Sequence, residues 1–472
     1  MHRRSKRILT VLGVIIVAFA ALYAIAVVRA TTRLRRAYAA LGADGRPLRA
    51  AEIIPPEVPD AQNAAVLYQS AALMLKGQAA GEKDLLQRLD DLSAALSQKP
   101  VHPDRIARQQ ENIAELRQRM SLPIVASALA TVEQGTQRPA CQFQREYAGA
   151  LSVDAPFRRN VRNLIRILGA RVHLYAEAGE TAQAWSTLQT QLKFANALRD
   201  DPTTMSQLMR SGMISYSCRL IQSLCENEPP EVQLSRSLED LLRDMTGIEP
   251  FIRAVDGERL LIGEWFFNLP RDEMDKAWRQ DMFHPSGALP GAIEEALHRL
   301  GFRILAFRPR LVADHAAYLE VMRKRVQLLQ GPYRSAQECR DYLNVSKWHF
   351  LTHLFAVGGE KWVHCRMAAN VQVTRAGLAL LRYRQAHGAF PPTLEALDLD
   401  GLLDPYTGKP LLYRPEGEGF VVYSVDEDLK DNGGVPKPEK QDSDPRRRKP
   451  LEGDRVWRFP SAENRIGAGG NP

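Results

Sequence analysis

Apolar residues recur every three to four positions along most of this chain, from about residue 60 to residue 387. This spacing places them on one face of successive helices and predicts a large helical body over residues 60–360. The pattern is most regular from Ala155 to Asn227, where Gly179 and Pro202 separate three predicted helices. No clean repeat of about 34 residues extends beyond that stretch, so an irregular bundle is predicted rather than a solenoid.

A second pattern lies at the N-terminus. The segment Ile8–Val28 contains twenty-one residues and no charge. At about 1.5 Å per residue it spans roughly 31 Å, which matches the hydrocarbon core of a bilayer. We therefore predict a transmembrane helix over residues 8–28, with residues 1–7 in the cytoplasm. A cleaved signal peptide that ends near Ala24-Ile25-Ala26 is the alternative.

Basic residues flank this segment equally, so their count does not decide its orientation: Arg3, Arg4, Lys6 and Arg7 before it, and Arg29, Arg33, Arg35 and Arg36 after it. The short N-terminal side favours a cytoplasmic N-terminus. The expected location is the inner membrane of a bacterial cell, crossed once, with the large domain outside the cytoplasm. Residues 29–59, basic and then Pro-rich, are expected to form a stalk whose arginines rest on anionic lipid.

The helical pattern breaks only between Leu378 and Gly434. A long helix starting at Lys361 is expected to stop at His387-Gly388, because glycine takes the left-handed cap conformation and two prolines follow. Strands are predicted at Leu411–Arg414 and Phe420–Val425, joined as a hairpin, with Arg455–Phe459 returning as a third strand.

The predicted fold is therefore mainly α, with a small C-terminal α+β module over residues 361–460. In this module a three-stranded antiparallel sheet packs on the long helix. The Pro-rich, charged residues 435–454 are expected to be a disordered loop, and residues 461–472 a flexible tail.

Three sequence elements of this module occur together: YRQAHGAFP at the helix end, DPYTGKPLLYR, and GFVVYSV followed by a loop rich in carboxylates. Together they resemble the C-terminal half of the major pseudopilins of type II secretion systems. A similar module ends many uncharacterised, membrane-anchored bacterial proteins. This chain lacks a pseudopilin processing site, and more than 330 residues separate its apolar segment from the module. Polymerisation into a pseudopilus is therefore not expected.

The resemblance implies a calcium site in the loop that follows the last long strand. Its candidate ligands here are Asp426, Asp428, Asp431 and Asn432, whose oxygens suit a hard cation. Asp426 and Leu429 replace the glycines of the family pattern, so a solvated turn is the alternative. No other cofactor is expected.

Other arrangements that could support chemistry are weaker. His349 and His353 are four apart on a predicted helix, but no Glu follows the first His, so the metalloprotease pattern fails. Glu258 and Glu264 are six apart and fall on different faces of an α-helix, which does not favour a glycosidase pair.

The net charge of +8 is concentrated near the N-terminus, where the first fifty residues hold ten Lys and Arg and one acid. This balance is typical of membrane flanks, and no nucleic-acid-binding motif accompanies it. The five cysteines form neither a CxxC nor a zinc pattern, so buried free thiols are expected.

These features favour a membrane-anchored scaffold or interaction protein of the cell envelope, linked to secretion or envelope assembly and not catalytic. Its expected partners are the lipid bilayer and other envelope proteins. One alternative is an extracytoplasmic hydrolase whose site lies in a groove near Trp265–Phe283, where aromatic residues cluster. A secreted binding protein with its leader removed is the other alternative.

Overall fold

The computed structural model describes residues 2–76, 85–96, 103–143, 156–277, 307–344, 352, 359–397, 399–437 and 452–460. Most of the predicted loop 435–454, the predicted tail, Trp278, Phe283, His349 and His353 lie outside the described residues.

The described chain is mainly helical, as predicted. Three helices organise the rest and are named here: the anchor helix His2–Ala43, the companion helix Arg308–Gln330 and the long helix Glu360–His387. The other helices of the described part are Ala64–Met74, Leu85–Leu96, Pro103–Met120, Pro123–Gly135, Pro156–Glu177, Thr181–Asn196, Thr204–Asn227, Val232–Arg243, Glu249–Glu258, Trp265–Phe267, Arg271–Ala277 and Ala336–Leu343.

The anchor helix has two halves with different surroundings. From Val11 to Val28 its side chains are almost all exposed, and its most apolar window is 0% buried. Among the described residues it is the one helix long and apolar enough to cross a membrane. Beyond Val28 the same helix is part of the body, where Ala30, Ala37 and Leu41 are buried.

The predicted stalk is therefore wrong for residues 30–43, which continue the anchor helix without a break and pack into the body. The physical reason is the spacing of small and apolar residues at 30, 34, 37 and 41, which forms a stripe along one helix face. The basic residues between them hid this stripe from the sequence analysis.

The companion helix lies against this second half and runs in the same direction. The ring centroids of Tyr23 and Phe307 are 5.6 Å apart at one end. Arg33 forms a two-pronged ion pair with Glu320, at 2.6 and 2.9 Å. Because residue numbers rise together along both helices, the companion helix begins level with the last turns of the apolar segment.

The core of the body is continuous from the anchor helix to the C-terminal module. Its largest buried set comes from the three helices of Pro156–Asn227, where the sequence pattern was most regular. The last of these helices begins as predicted after Pro202, and the Thr203 hydroxyl accepts a hydrogen bond from the Ser206 amide.

The C-terminal module has the predicted sheet. Strands β1 (Leu412–Glu416), β2 (Gly419–Ser424) and β3 (Arg455–Phe459) pair antiparallel in that order. The central strand β2 is buried along its whole length. Trp457 of β3 lies over Gly377 of the long helix, so the sheet packs on that helix as expected. Gly388 ends the long helix at φ +80°, in the left-handed region.

The close approach of Trp457 to the long helix predicts the effect of adding one methyl group. A Cβ at position 377 would overlap the Trp457 ring, so Gly377→Ala should lower the free energy of unfolding by about 1–3 kcal/mol. Gly212→Ala is the matched control, because that helical glycine is exposed and its Cβ meets no neighbour. It should stabilise the protein by about 0.5–1 kcal/mol. Urea unfolding in detergent, followed by helical circular dichroism, measures both; a neutral Gly377→Ala would contradict the packing.

Candidate functional site

A buried ionic network lies where the anchor helix, the companion helix and the long helix meet the middle of the chain. Its centres are Arg259 and Arg325, which are 1% and 2% exposed. A guanidinium group removed from water is tolerated only when carboxylates and carbonyls surround it.

A widened helical turn positions one side of this network. The helix Glu249–Glu258 continues through a π-helical segment, Arg259–Glu264. Such segments interrupt α-helices at sites that need an unusual side-chain direction. Gly263 lies against the ring of Tyr318, where a Cβ would overlap it, and the Tyr318 hydroxyl donates to the Glu258 carbonyl at 3.3 Å. The glycine therefore lets the companion helix approach the widened turn.

Arg259 joins this segment to the chain that follows the anchor helix. Its guanidinium pairs with Glu264, donates to the Pro47 carbonyl, and lies 3.4 Å from an Asp256 oxygen. Arg46 pairs with the same Asp256. This half of the network therefore fixes the end of the anchor helix to the middle of the body.

Tyr38 adds a contact from within the anchor helix itself. Its hydroxyl donates to Glu264 Oε2 at 2.7 Å and lies 3.4 Å from Nε2 of His315. The His315 ring stacks on Phe267, with ring centroids 4.6 Å apart. The anchor helix thus shares Glu264 with Arg259.

Arg325 forms the other half of the network. It pairs with Glu360 at the start of the long helix and lies 3.7 Å from Glu258. The Thr204 hydroxyl also donates to Glu258. The companion helix is thereby tied to the long helix and to the helix Glu249–Glu258.

Burial and ion pairing shift the pKa values of the network residues in opposite directions. Burial raises the pKa of both Glu258 and Glu264, while Arg325 and Arg259 respectively oppose that rise. Burial would lower the pKa of Arg325, but Glu360 and Glu258 outweigh it, so that pKa is raised. Arg325 stays charged, and Glu258 and Glu264 each have a cationic partner. The arrangement suits coupling between helices better than proton transfer to a bound molecule.

Glu258 and Glu264 were predicted to lie on different faces of a helix, and in the structure each contacts a different arginine. The network residues Arg46, Asp256, Arg259, Arg325 and Glu360 were not predicted. One signal was present: Arg325 interrupts an apolar helix face formed by Met322, Val326 and Leu329. A charge at such a position needs a buried partner, but the sequence does not say which.

The acidic loop is held together by the protein's own donors. Asp426 is 1% exposed, and its oxygens lie 2.7 Å from Arg455 and 3.4 Å from Lys437. Burial would raise its pKa, but these two cations lower it below the ordinary value.

The other predicted ligands are engaged separately. Asp428 Oδ2 accepts from the Asn432 amide group at 3.0 Å and from the Gly453 backbone at 3.2 Å. Asp431 Oδ1 accepts from the Tyr423 hydroxyl at 3.0 Å. In the described chain, no group of three or more His, Cys, Asp and Glu side chains is placed to hold a metal ion. The calcium site stays a prediction, and an ion there would compete with Arg455 for Asp426.

The remaining sequence candidates fall partly outside the described residues. Of the aromatic cluster, Trp265 is partly buried, and Phe266 and Phe267 belong to the core. Trp278 and Phe283 are not described, so the predicted groove is untested. His364 donates from Nε2 to the Thr246 carbonyl at 2.9 Å, and burial lowers its pKa to about 4. None of the five cysteines, all of which lie in the described residues, forms a disulfide. Cys218, Cys225 and Cys365 are buried as expected, whereas Cys141 and Cys339 are only partly buried.

Comparison with known proteins gives this site no precedent. No family model, no curated protein and no solved structure matches the chain. Its function is therefore argued from the geometry of the network and of the anchor helix.

The network predicts a large cost for removing one of its cations. Arg259→Met leaves Glu264 and Asp256 buried without their shared partner, so the free energy of unfolding should fall by about 3–5 kcal/mol. Arg243→Met removes an exposed pair with Asp240 and should cost less than about 1 kcal/mol. Urea unfolding compares the two variants; similar losses would contradict the structural role of Arg259.

His315 predicts a dependence of stability on pH. Burial lowers its pKa to about 4 from an ordinary 6.5. Between these values the unfolded chain binds a proton that the folded chain does not, so this histidine makes stability fall as the pH drops through that window. His315→Phe should therefore reduce the fall in thermal unfolding midpoint between about pH 7 and about pH 5.

Comparing His315→Phe with wild type separates the pH dependence due to His315 from that due to the buried glutamates. Burial raises the pKa of Glu264, and such a group contributes in the opposite direction, with stability lost as the pH rises. Both proteins contain Glu264, so its contribution is common to both. Identical pH dependence in the two proteins would contradict the assignment to His315.

Proposed function

We propose that this protein is a single-pass, membrane-anchored scaffold or interaction protein of the cell envelope, and that it is not an enzyme. In this proposal the N-terminus is cytoplasmic, and the body lies outside the cytoplasm on the inner membrane. The observation that carries it is the anchor helix, which is apolar and exposed from Val11 to Val28 and built into the body from Ala30 to Ala43.

The way the anchor helix joins the body supports a scaffold. A flexible tether would let the body turn freely, whereas here residues 30–43 pack into the body and two ion pairs join this part of the anchor helix to the companion helix. Arg33 pairs with Glu320, and Asp44 pairs with Arg323 at 2.6 and 3.1 Å. Beyond them, Arg259 holds the Pro47 carbonyl. Such a body presents one constant surface at a constant height above the membrane.

The contacts of the buried glutamates favour this proposal over the hydrolase. A general acid or base must reach the substrate, and Glu258 and Glu264 are instead occupied by arginines and hydroxyl groups. The hydrolase alternative therefore depends on the region between Trp265 and Phe283. For the partner, the pseudopilin resemblance of the C-terminal module remains the hypothesis, namely a component of secretion or envelope assembly.

Exchange of the N-terminal segment tests the anchoring. Replacing residues 1–28 with a cleavable leader should release a folded, soluble body, because residues 30–43 keep their contacts. Replacing residues 1–45 uncovers the companion helix and should give an unstable body.

The full chain should resist alkaline extraction, and its body should be digested by protease added to spheroplasts. Release by alkali, or protection from that protease, would contradict the proposal.

Crosslinking in intact cells tests the scaffold role itself. Lysine-directed crosslinking of the full chain should give discrete species of higher mass. The leader-exchanged body should lose those species that need the membrane position. A known envelope complex serves as the positive control for the crosslinker. If that complex is crosslinked while this chain is recovered only in its uncrosslinked form, the interaction function is contradicted.

A further inference from the structure

The companion helix begins beside the exposed apolar part of the anchor helix. Phe307, which precedes the helix, contacts Tyr23 of the anchor helix and is 46% exposed. Tyr23 lies five residues before Val28, the last residue of the predicted span, so it is about 7.5 Å from the end of that span along the helix axis. Phe307 therefore lies near the last turns of the span, within about 7.5 Å of the boundary between acyl chains and headgroups, where aromatic side chains concentrate.

Basic side chains surround this point from both helices. Arg29 and Arg308 are exposed, and Arg310 is partly exposed. Within the described residues none of these three forms an ion pair, whereas Arg33 is neutralised by Glu320. The positive charge of these three arginines is thus adjacent to the apolar span.

Helix geometry directs these side chains toward the membrane. Each Cα–Cβ bond of an α-helix tilts toward the helix N-terminus. The anchor and companion helices run in the same direction, with their N-terminal ends on the bilayer side. Long arginine side chains from both helices therefore extend back toward the headgroups, and their apolar stems can lie along the acyl boundary.

We infer that Phe307, Arg29, Arg308 and Arg310 form a second membrane contact that binds the headgroups of anionic phospholipids. This inference rests on the proposed anchoring and adds to it a specific lipid class and a specific orientation. Phe307 enters the interface, and the three guanidinium groups bind lipid phosphates. The contact stops the body from tilting about the single span.

Fluorescence quenching tests where Phe307 lies. The full chain with Phe307→Trp is reconstituted in bilayer nanodiscs made with brominated phospholipid. The matched control is Leu429→Trp, also exposed at 47%, at the other end of the companion helix. Arg325 lies near that end, seventeen residues beyond Arg308 and so about 26 Å along the helix. Arg325 pairs with Glu360. Trp362, two residues after Glu360, contacts Glu427 in the acidic loop that contains Leu429.

The Phe307→Trp variant should add a strongly quenched component to wild-type fluorescence, and the Leu429→Trp variant should not. Equal, weak quenching of both would overturn the inference. A chain that fails to enter nanodiscs would instead overturn the proposed anchoring, so the two failures are distinguishable.

Lipid retention tests the headgroup specificity. The full chain is purified in mild detergent from vesicles of zwitterionic lipid containing a minor fraction of phosphatidylglycerol, and the retained lipids are quantified. Wild type should be enriched several-fold in phosphatidylglycerol. The variant Arg29→Gln, Arg308→Gln, Arg310→Gln should return to the bulk ratio. The control variant Arg334→Gln, Arg340→Gln, Arg366→Gln has the same net charge, and its exposed positions lie toward the far end of the companion helix.

Enrichment that survives the first variant, or that is lost equally in both, would overturn the specific contact. The quenching of the Phe307→Trp variant gives an independent measurement should the triple variant be unstable.

Discussion

Arg259 holds together two parts of the chain that are more than two hundred residues apart in sequence. Its guanidinium is buried, so it depends on the Pro47 carbonyl, Glu264 and Asp256 for its charge to be tolerated. The same contacts require the turn after the anchor helix to remain against the π segment. The position of the anchor helix relative to the body therefore depends on the pairing of one buried cation.

The remaining interfaces extend this constraint along the molecule. Arg325 of the companion helix pairs with Glu360, at the start of the long helix, and so fixes these two helices to each other. The long helix then supports the sheet through Gly377 and Trp457. A continuous path of packed helices and buried charges thus runs from the anchor helix to the C-terminal module. This continuity is what distinguishes the protein from a globular domain on a flexible stalk.

The features that depend on local sequence were predictable. Strand β3 was predicted with its observed bounds, and β1 and β2 within two residues, because alternating apolar residues and glycine-containing turns specify a hairpin locally. The apolar segment was predictable for a similar reason, since its length and lack of charge are read directly from the sequence.

The features that depend on distant partners were not. Residues 30–43 looked like a stalk because their arginines dominate the composition, and only the companion helix reveals the apolar stripe between them. The π segment packs against a distant partner, because Tyr318 of the companion helix lies against its Gly263. At the acidic loop, the sequence indicated Asp426 as a candidate calcium ligand but not that Arg455 lies 2.7 Å from it.

The central claim is that the second half of the anchor helix is part of the folded body. Hydrogen exchange of the full chain in detergent tests it most directly, because amide protection reports the free energy of local opening. The account predicts that the amides of residues 30–43 exchange as slowly as those of the companion helix. Fast exchange of residues 30–43 beside a protected companion helix would show a mobile stalk and would contradict the account.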